Sequence, residues 1–147
     1  MIKSLLLVCT GNICRSPMAA ALFAERARSR GRALRVDSAG LAALDGSAPP
    51  EPVVALMARR GLDVSEHTAR QLTGELASDY DLVLVMEAAQ QRFIEQNWMA
   101  LKGRVRRLGE WRDEDVPDPY GLPEEFYAEC LAQIGSCVED WEERLLS

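Results

Sequence analysis

Apolar residues along the chain gather in short runs divided by polar, helix-like stretches. Ile2 to Val8 reads as a buried strand, rich in leucine and β-branched residues. Pro17 to about Arg30 reads as a helix, with Ser16 suited to the N-cap, Pro17 to the first turn and Gly31 to the stop. "LRVDSAG" (34–40) predicts a second strand that runs into a glycine turn. "LDGSAPPEP" reads as loop, and Pro52 to Arg60 as a short helix closed by Gly61. "DLVLVME" (81–87) predicts a third buried strand, Ala88 to about Trp98 a helix, and "GRVRRLGEW" (103–111) holds a fourth strand. An acidic, proline-bearing loop, "RDEDVPDPYGLP" (112–123), leads into a last helix from Glu124 to Leu146.

Strands alternating with helices imply βαβ units. The expected fold is therefore α/β: a three-layer sandwich with a four-stranded parallel sheet and helices on both faces. With 147 residues and no repeat or linker, residues 1–147 are expected to form a single domain. Ligands of such sheets bind beyond the C-terminal ends of the strands. Cys9 sits at one such end and the loop carrying Asp118 follows another, so the two can meet at one edge of the sheet.

Charge and composition narrow the partners. The formal net charge is -6, which argues against nucleic acid. The longest apolar run near the start, Leu5 to Val8, is too short to cross a membrane, and the start lacks the pattern of a signal peptide, so a cytoplasmic protein is expected. Four cysteines without an export signal point to reduced thiols. Five arginines between Arg26 and Arg35 fit cations at a helix C-terminus; a docking patch for an acidic partner is the other reading.

The chemistry concentrates in Cys9-Thr10-Gly11-Asn12-Ile13-Cys14-Arg15-Ser16, between the first strand and the first helix. A helix N-terminus offers unpaired N–H groups and a partial positive charge. A loop wrapped over it, with Gly11 and Asn12 free to take unusual φ values, forms an anion cradle. Arg15 adds a planar fork for two phosphate oxygens. The same field favours the ionised form of Cys9. Neither common nucleotide-binding glycine motif is present. The loop thus reads as a nucleophile set in an oxyanion cradle.

"VCTGNICRSPMAAALF" resembles the signature of the low-molecular-weight protein tyrosine phosphatases. The likeness continues through "DSAGLAALDG", "HTARQL", "DYDLVLVME", "RLGEW" and "DPYG", and is nearest to the bacterial branch associated with exopolysaccharide export. The resemblance implies Cys9 as nucleophile, Arg15 as phosphate clamp and Asp118, before Pro119, as general acid. The residues alone do not separate Asp118 from Asp113, Glu114 or Asp115, although the proline stiffens the loop at Asp118. It further implies that Ser16 hydrogen-bonds the thiolate, that Asn12 holds the loop, and that Ser38 and His67 support it. Ile13, Leu44 and Tyr120 are expected to wall a slot for a phenyl ring, deep enough to favour phosphotyrosine over phosphoserine. The implied substrate is phosphotyrosine on a protein, a bacterial tyrosine autokinase of capsule or exopolysaccharide export. No cofactor or metal is called for, and a monomer is expected. An acid donating its proton from Asp118 implies an optimum on the mildly acidic side.

The other cysteines are less telling. Cys14 shares the tight loop with Cys9, where it reads either as a redox partner or as packing. Cys130 and Cys137 belong to a stripe of Phe126, Cys130, Ile134, Cys137, Trp141 and Leu145 that predicts the buried face of the last helix. Seven residues of helix rise about 10 Å, too far for a bridge. Arsenate reduction, phosphoarginine hydrolysis and plain anion binding are the rival functions. A relay of cysteines is missing between residues 15 and 129, and an apolar Ile13 suits phenyl better than guanidinium.

Overall fold

The computed structural model describes residues 1–147. Four strands, β1 (Ser4–Cys9), β2 (Arg35–Gly40), β3 (Leu82–Val85) and β4 (Val105–Arg107), form one sheet in the order β2-β1-β3-β4. All three pairings are parallel. Five helices accompany them: α1 (Arg15–Ser29), α2 (Glu51–Arg59), α3 (Gly74–Ser78), α4 (Ala88–Asn97) and α5 (Glu124–Leu145).

The central position of β1 explains its unbroken apolar sequence, because a strand covered on both faces has no solvent side. Its side chains alternate between two cores. Leu5, Leu7 and Cys9 join Leu82, Leu84 and residues of α1, α2 and α5. Leu6 and Val8 join Val83, Val85, Ala77 of α3 and Ile94 of α4 on the other face. The expected three layers are therefore present, with the larger core under α1, α2 and α5.

Several boundaries differ from the sequence reading. α1 begins at Arg15, with Cys14 as N-cap and no side-chain cap bond; Ser16 lies inside the helix, its hydroxyl turned toward Cys9. β4 spans only Val105–Arg107, although the Leu108 N–H still reaches the Val85 carbonyl at 2.8 Å. The chain then folds back at Gly109, where a Cβ atom would stand 2.2 Å from the Glu114 carbonyl oxygen. That approach requires glycine and ends the strand. α3 was not foreseen; Thr73 caps it, accepting the Leu76 N–H at 3.0 Å. On α5 the buried face is Tyr127, Cys130, Leu131, Ile134, Cys137, Val138 and Trp141. Phe126 is exposed instead, because Tyr127 turns inward and its hydroxyl accepts the Gly121 N–H at 3.3 Å.

The arginines in the last turn of α1 and just after it do more than complement a helix dipole. Arg26 Nε and Arg30 Nε donate to the two oxygens of Glu142 on α5, at 2.9 and 2.7 Å. Arg32 donates to the Leu146 carbonyl at 3.1 Å. These bonds fix α1 against α5. The Arg26 hydrogen bond, helped by Arg30 and opposed by burial, holds the Glu142 carboxyl below its ordinary pKa. A depressed carboxylate contributes stability that is present above its unfolded pKa and lost as pH falls through the folded one. Glu142→Gln is therefore expected to cost about 2 kcal/mol near neutral pH and to lose that deficit in acid. Urea unfolding at pH 7 and pH 3 checks this; an equal deficit at both would contradict it.

Candidate active site

β1 delivers Cys9 to the C-terminal edge of the sheet, and the loop from Thr10 to Cys14 closes over the start of α1. Asn12 makes this loop possible. It takes a left-handed φ of 59° and is fully buried. Its side chain donates to Ser16 Oγ at 2.8 Å and to Ser38 Oγ at 3.0 Å, and accepts the Arg70 N–H at 2.9 Å. Its carbonyl accepts from His67 Nε2 at 2.7 Å, so that nitrogen carries the ring proton. His67 thus holds backbone and does not line the pocket. Because Asn12 donates to Ser16, the Ser16 hydroxyl hydrogen is free to point at Cys9 Sγ, 3.0 Å away.

The loop's own amides carry the decisive observation. The backbone N–H groups of Gly11, Asn12, Ile13, Cys14, Arg15 and Ser16 donate to no group of the protein. Consecutive unpaired amides at a helix N-terminus form a nest for an anion. Gly40 lets the loop settle, since a Cβ there would lie 2.7 Å from the Thr10 carbonyl oxygen.

Arg15 is buried to 1% exposure, yet its Nε has no hydrogen-bond partner. Its other nitrogens are held firmly. Nη1 donates to Glu87 and, at 2.8 Å, to the Val116 carbonyl; Nη2 lies 3.5 Å from Thr10 Oγ1 and 3.7 Å from Asp118 Oδ2. Burial opposes the charge on Arg15, but Cys9, Glu87 and Asp118 outweigh it and push the pKa up. Glu87 and Gln90 escaped the sequence reading. They form a reciprocal capping box at the start of α4, and Gln90 also donates to Thr10 Oγ1 at 3.1 Å. The available signal was position: Glu87 follows the C-terminal end of β3, beside β1.

A pocket of about 200 Å³ opens over this loop, lined by Cys9, Thr10, Gly11, Ile13, Cys14, Arg15, Ala42, Leu44, Asp118 and Tyr120. Four larger hollows, about 770, 530, 410 and 250 Å³, contain no cysteine. Ile13 is buried at the pocket wall, whereas Leu44 and Tyr120 stand exposed at its rim. The structure also separates the four acids of the 112–123 loop. Asp113 and Asp115 bind Arg107 at 2.7 and 3.1 Å, and Glu114 accepts from Gln133 at 3.2 Å. Only Asp118 faces the pocket, with its Oδ1 accepting the Tyr120 N–H at 3.1 Å.

Residues 4–147 fit the family described as low molecular weight phosphotyrosine protein phosphatase. The chain belongs to the low-molecular-weight protein tyrosine phosphatases. Among its relatives is the probable low molecular weight protein-tyrosine-phosphatase EpsP of Ralstonia nicotianae, 45% identical over 145 residues, which cover 99% of this chain and 97% of that one. Among solved structures, the tyrosine phosphatase Wzb of Escherichia coli K30 in complex with sulphate superposes with a TM-score of 0.92 at 31% identity, covering 99% of both chains. The arginine phosphatase YwlE superposes nearly as well, with a TM-score of 0.91 at 29% identity over 97% of this chain and 95% of that one. The fold alone therefore does not choose between phosphotyrosine and phosphoarginine. No helix of the phosphatase is long and apolar enough to cross a membrane.

All four thiols are free, but they differ in environment. Burial, reinforced by Asp118, pushes Cys14 up to about 12. Burial likewise raises Cys130 to about 12 and Cys137 to about 11. These three are expected to stay protonated and inert at pH 7. Iodoacetate at neutral pH should modify Cys9 alone, and inorganic phosphate should protect it. Peptide mapping after labelling checks this; modification of Cys14 at a comparable rate would contradict it.

Proposed function

We propose that the enzyme hydrolyses phosphotyrosine on proteins, with Cys9 as nucleophile, Arg15 and the loop amides as anion clamp, and Asp118 as general acid and base. The carrying observation is the set of unpaired donors around one sulfur: six backbone N–H groups and the orphan Nε of a buried arginine. Such donors are costly to bury unless an anion takes them.

The Cys9 thiolate attacks phosphorus in line, and the bond to the tyrosine oxygen breaks. Asp118 gives its proton to the departing phenolate. The product of this step is a cysteinyl-phosphate and free tyrosine. Asp118, now a carboxylate, takes a proton from water as that water attacks phosphorus. Inorganic phosphate leaves and the Cys9 thiolate is restored. The clamp holds the equatorial oxygens in both steps, and the Ser16 hydroxyl, 3.0 Å from Cys9 Sγ, stabilises the leaving sulfur in the second. Glu87 and the Val116 carbonyl keep the guanidinium fixed, so Arg15 need not reorganise as charge develops.

Buried Ile13, with Leu44 and Tyr120 at the rim, supports a phenyl ring over a guanidinium. Relatedness to EpsP and Wzb supports a natural substrate among tyrosine autokinases of exopolysaccharide or capsule export. The enzyme would then act in the cytoplasm, as a monomer.

Cys9→Ser should abolish p-nitrophenyl phosphate hydrolysis with the fold retained. Asp118→Asn should lower kcat about 10²- to 10³-fold and remove the fall in rate as pH rises. A rate that stays flat through alkaline pH in the unaltered enzyme would contradict Asp118 as acid. Faster turnover of phosphoarginine or of arsenate than of phosphotyrosine would overturn the substrate. Glu87→Gln should cut kcat about ten- to a hundredfold and weaken vanadate binding in parallel; unchanged vanadate affinity would rule out a positioning role. Loss of phosphotyrosine from an autokinase of the same cell, seen by immunoblot with the enzyme but not with Cys9→Ser, tests the natural substrate.

A further inference from the structure

We infer that the pocket selects phosphotyrosine flanked by lysine or arginine, through an acidic field built into the two turns that frame its mouth. This rests on the reading of the pocket as a phosphotyrosine site and adds the charge of the surrounding peptide.

The first turn runs from Leu44 to Ser47. It is seated directly on the phosphate loop, because the Leu44 N–H donates to the Gly11 carbonyl at 3.1 Å and the Ser47 N–H to the Leu44 carbonyl at 2.9 Å. Leu44 reaches the pocket while Asp45, the next residue, is exposed at the tip and makes no ion pair. The second turn follows Asp118. The Leu122 N–H donates to the Pro119 carbonyl at 3.0 Å, and Gly121 is tied to the Tyr127 hydroxyl. Four and five residues beyond the rim residue Tyr120 come Glu124 and Glu125, in the first turn of α5. Both carboxylates are exposed and have no ion-pair partner. They border a separate hollow with Pro52, Ala55, Leu56 and Ala128, where Arg59 is the one cation.

What leaves the field predominantly acidic is the sequence around these turns. Residues 36–58 and 113–143, which supply both walls of the mouth, contain no lysine or arginine. The one guanidinium in the pocket, Arg15, is buried beneath the phosphate position and already faces Glu87 and Asp118. Asp113 and Asp115, on the same acidic loop as Asp118, are neutralised by Arg107 and add little. The phosphate is thus recognised at the bottom by buried donors, and the peptide at the top meets unpaired carboxylates. A cleft of one charge sign raises the local concentration of the opposite sign and speeds encounter, in a salt-dependent way. Exposed Tyr120 and Leu122 between the acids offer apolar contact to the stems of long basic side chains.

The experiment compares two phosphotyrosine peptides that differ only in flanking residues, lysine in one and glutamate in the other. At low salt, kcat/KM should favour the lysine peptide about tenfold, and high salt should largely erase the difference. The triple variant Asp45→Asn, Glu124→Gln, Glu125→Gln should lose the preference while keeping its rate on p-nitrophenyl phosphate. Single charge reversals Asp45→Lys and Glu124→Lys provide the same reading should the triple variant fold poorly. Equal efficiency toward both peptides at low salt, with p-nitrophenyl phosphate turnover intact, would overturn the charge selection alone. Absence of turnover on every phosphate ester would instead strike the reading of the site beneath it.

Discussion

A buried guanidinium must be held by oxygen atoms, and in this chain that requirement organises the whole C-terminal edge of the sheet. Arg15 is drawn to Glu87 at the head of α4 and to the Val116 carbonyl beyond β4. Three successive connections therefore converge on one side chain: the loop after β1, the cap after β3 and the segment after β4. With two nitrogens spoken for, the third donor, Nε, is left facing inward without a partner. The anchoring is thereby what presents the unpaired donor, and the same contacts that stabilise the fold also shape the cradle.

Asn12 plays the corresponding part for the loop. A left-handed asparagine buried at 0% exposure is tolerable only if its side-chain amide and its carbonyl are satisfied, and Ser16, Ser38, His67 and Arg70 supply those bonds. The layer beneath the loop is thus a closed hydrogen-bond network, while the layer above it is open. Rigidity below and unpaired amides above are two results of one arrangement.

Strand positions were legible because a buried parallel strand must be apolar throughout, as "SLLLVC" and "LVLV" are. Cys9, Arg15 and the loop were legible because strand, glycine and helix start fall in one short stretch. Glu87 was hidden because it directly follows the β3 run and because its bond to Arg15 joins residues 72 apart in the chain. The end of β4 was hidden because it depends on Gly109 approaching Glu114, a contact between backbone atoms that leaves no periodic trace. The exposure of Phe126 was missed for a similar reason: helical spacing gives a face within a few tens of degrees, and a single hydrogen bond from Gly121 to Tyr127 sets the rotation.

The partners of Arg15 lie 72 and 101 residues further along the chain. During synthesis Cys9 and Arg15 leave the ribosome first, among the earliest residues made, while β1 still lacks β3 on one side. A nascent chain shorter than Val116 cannot assemble the clamp. Parallel pairing between distant segments thus couples competence to near-completion of translation, so that a truncated fragment bears the motif without the organ it belongs to.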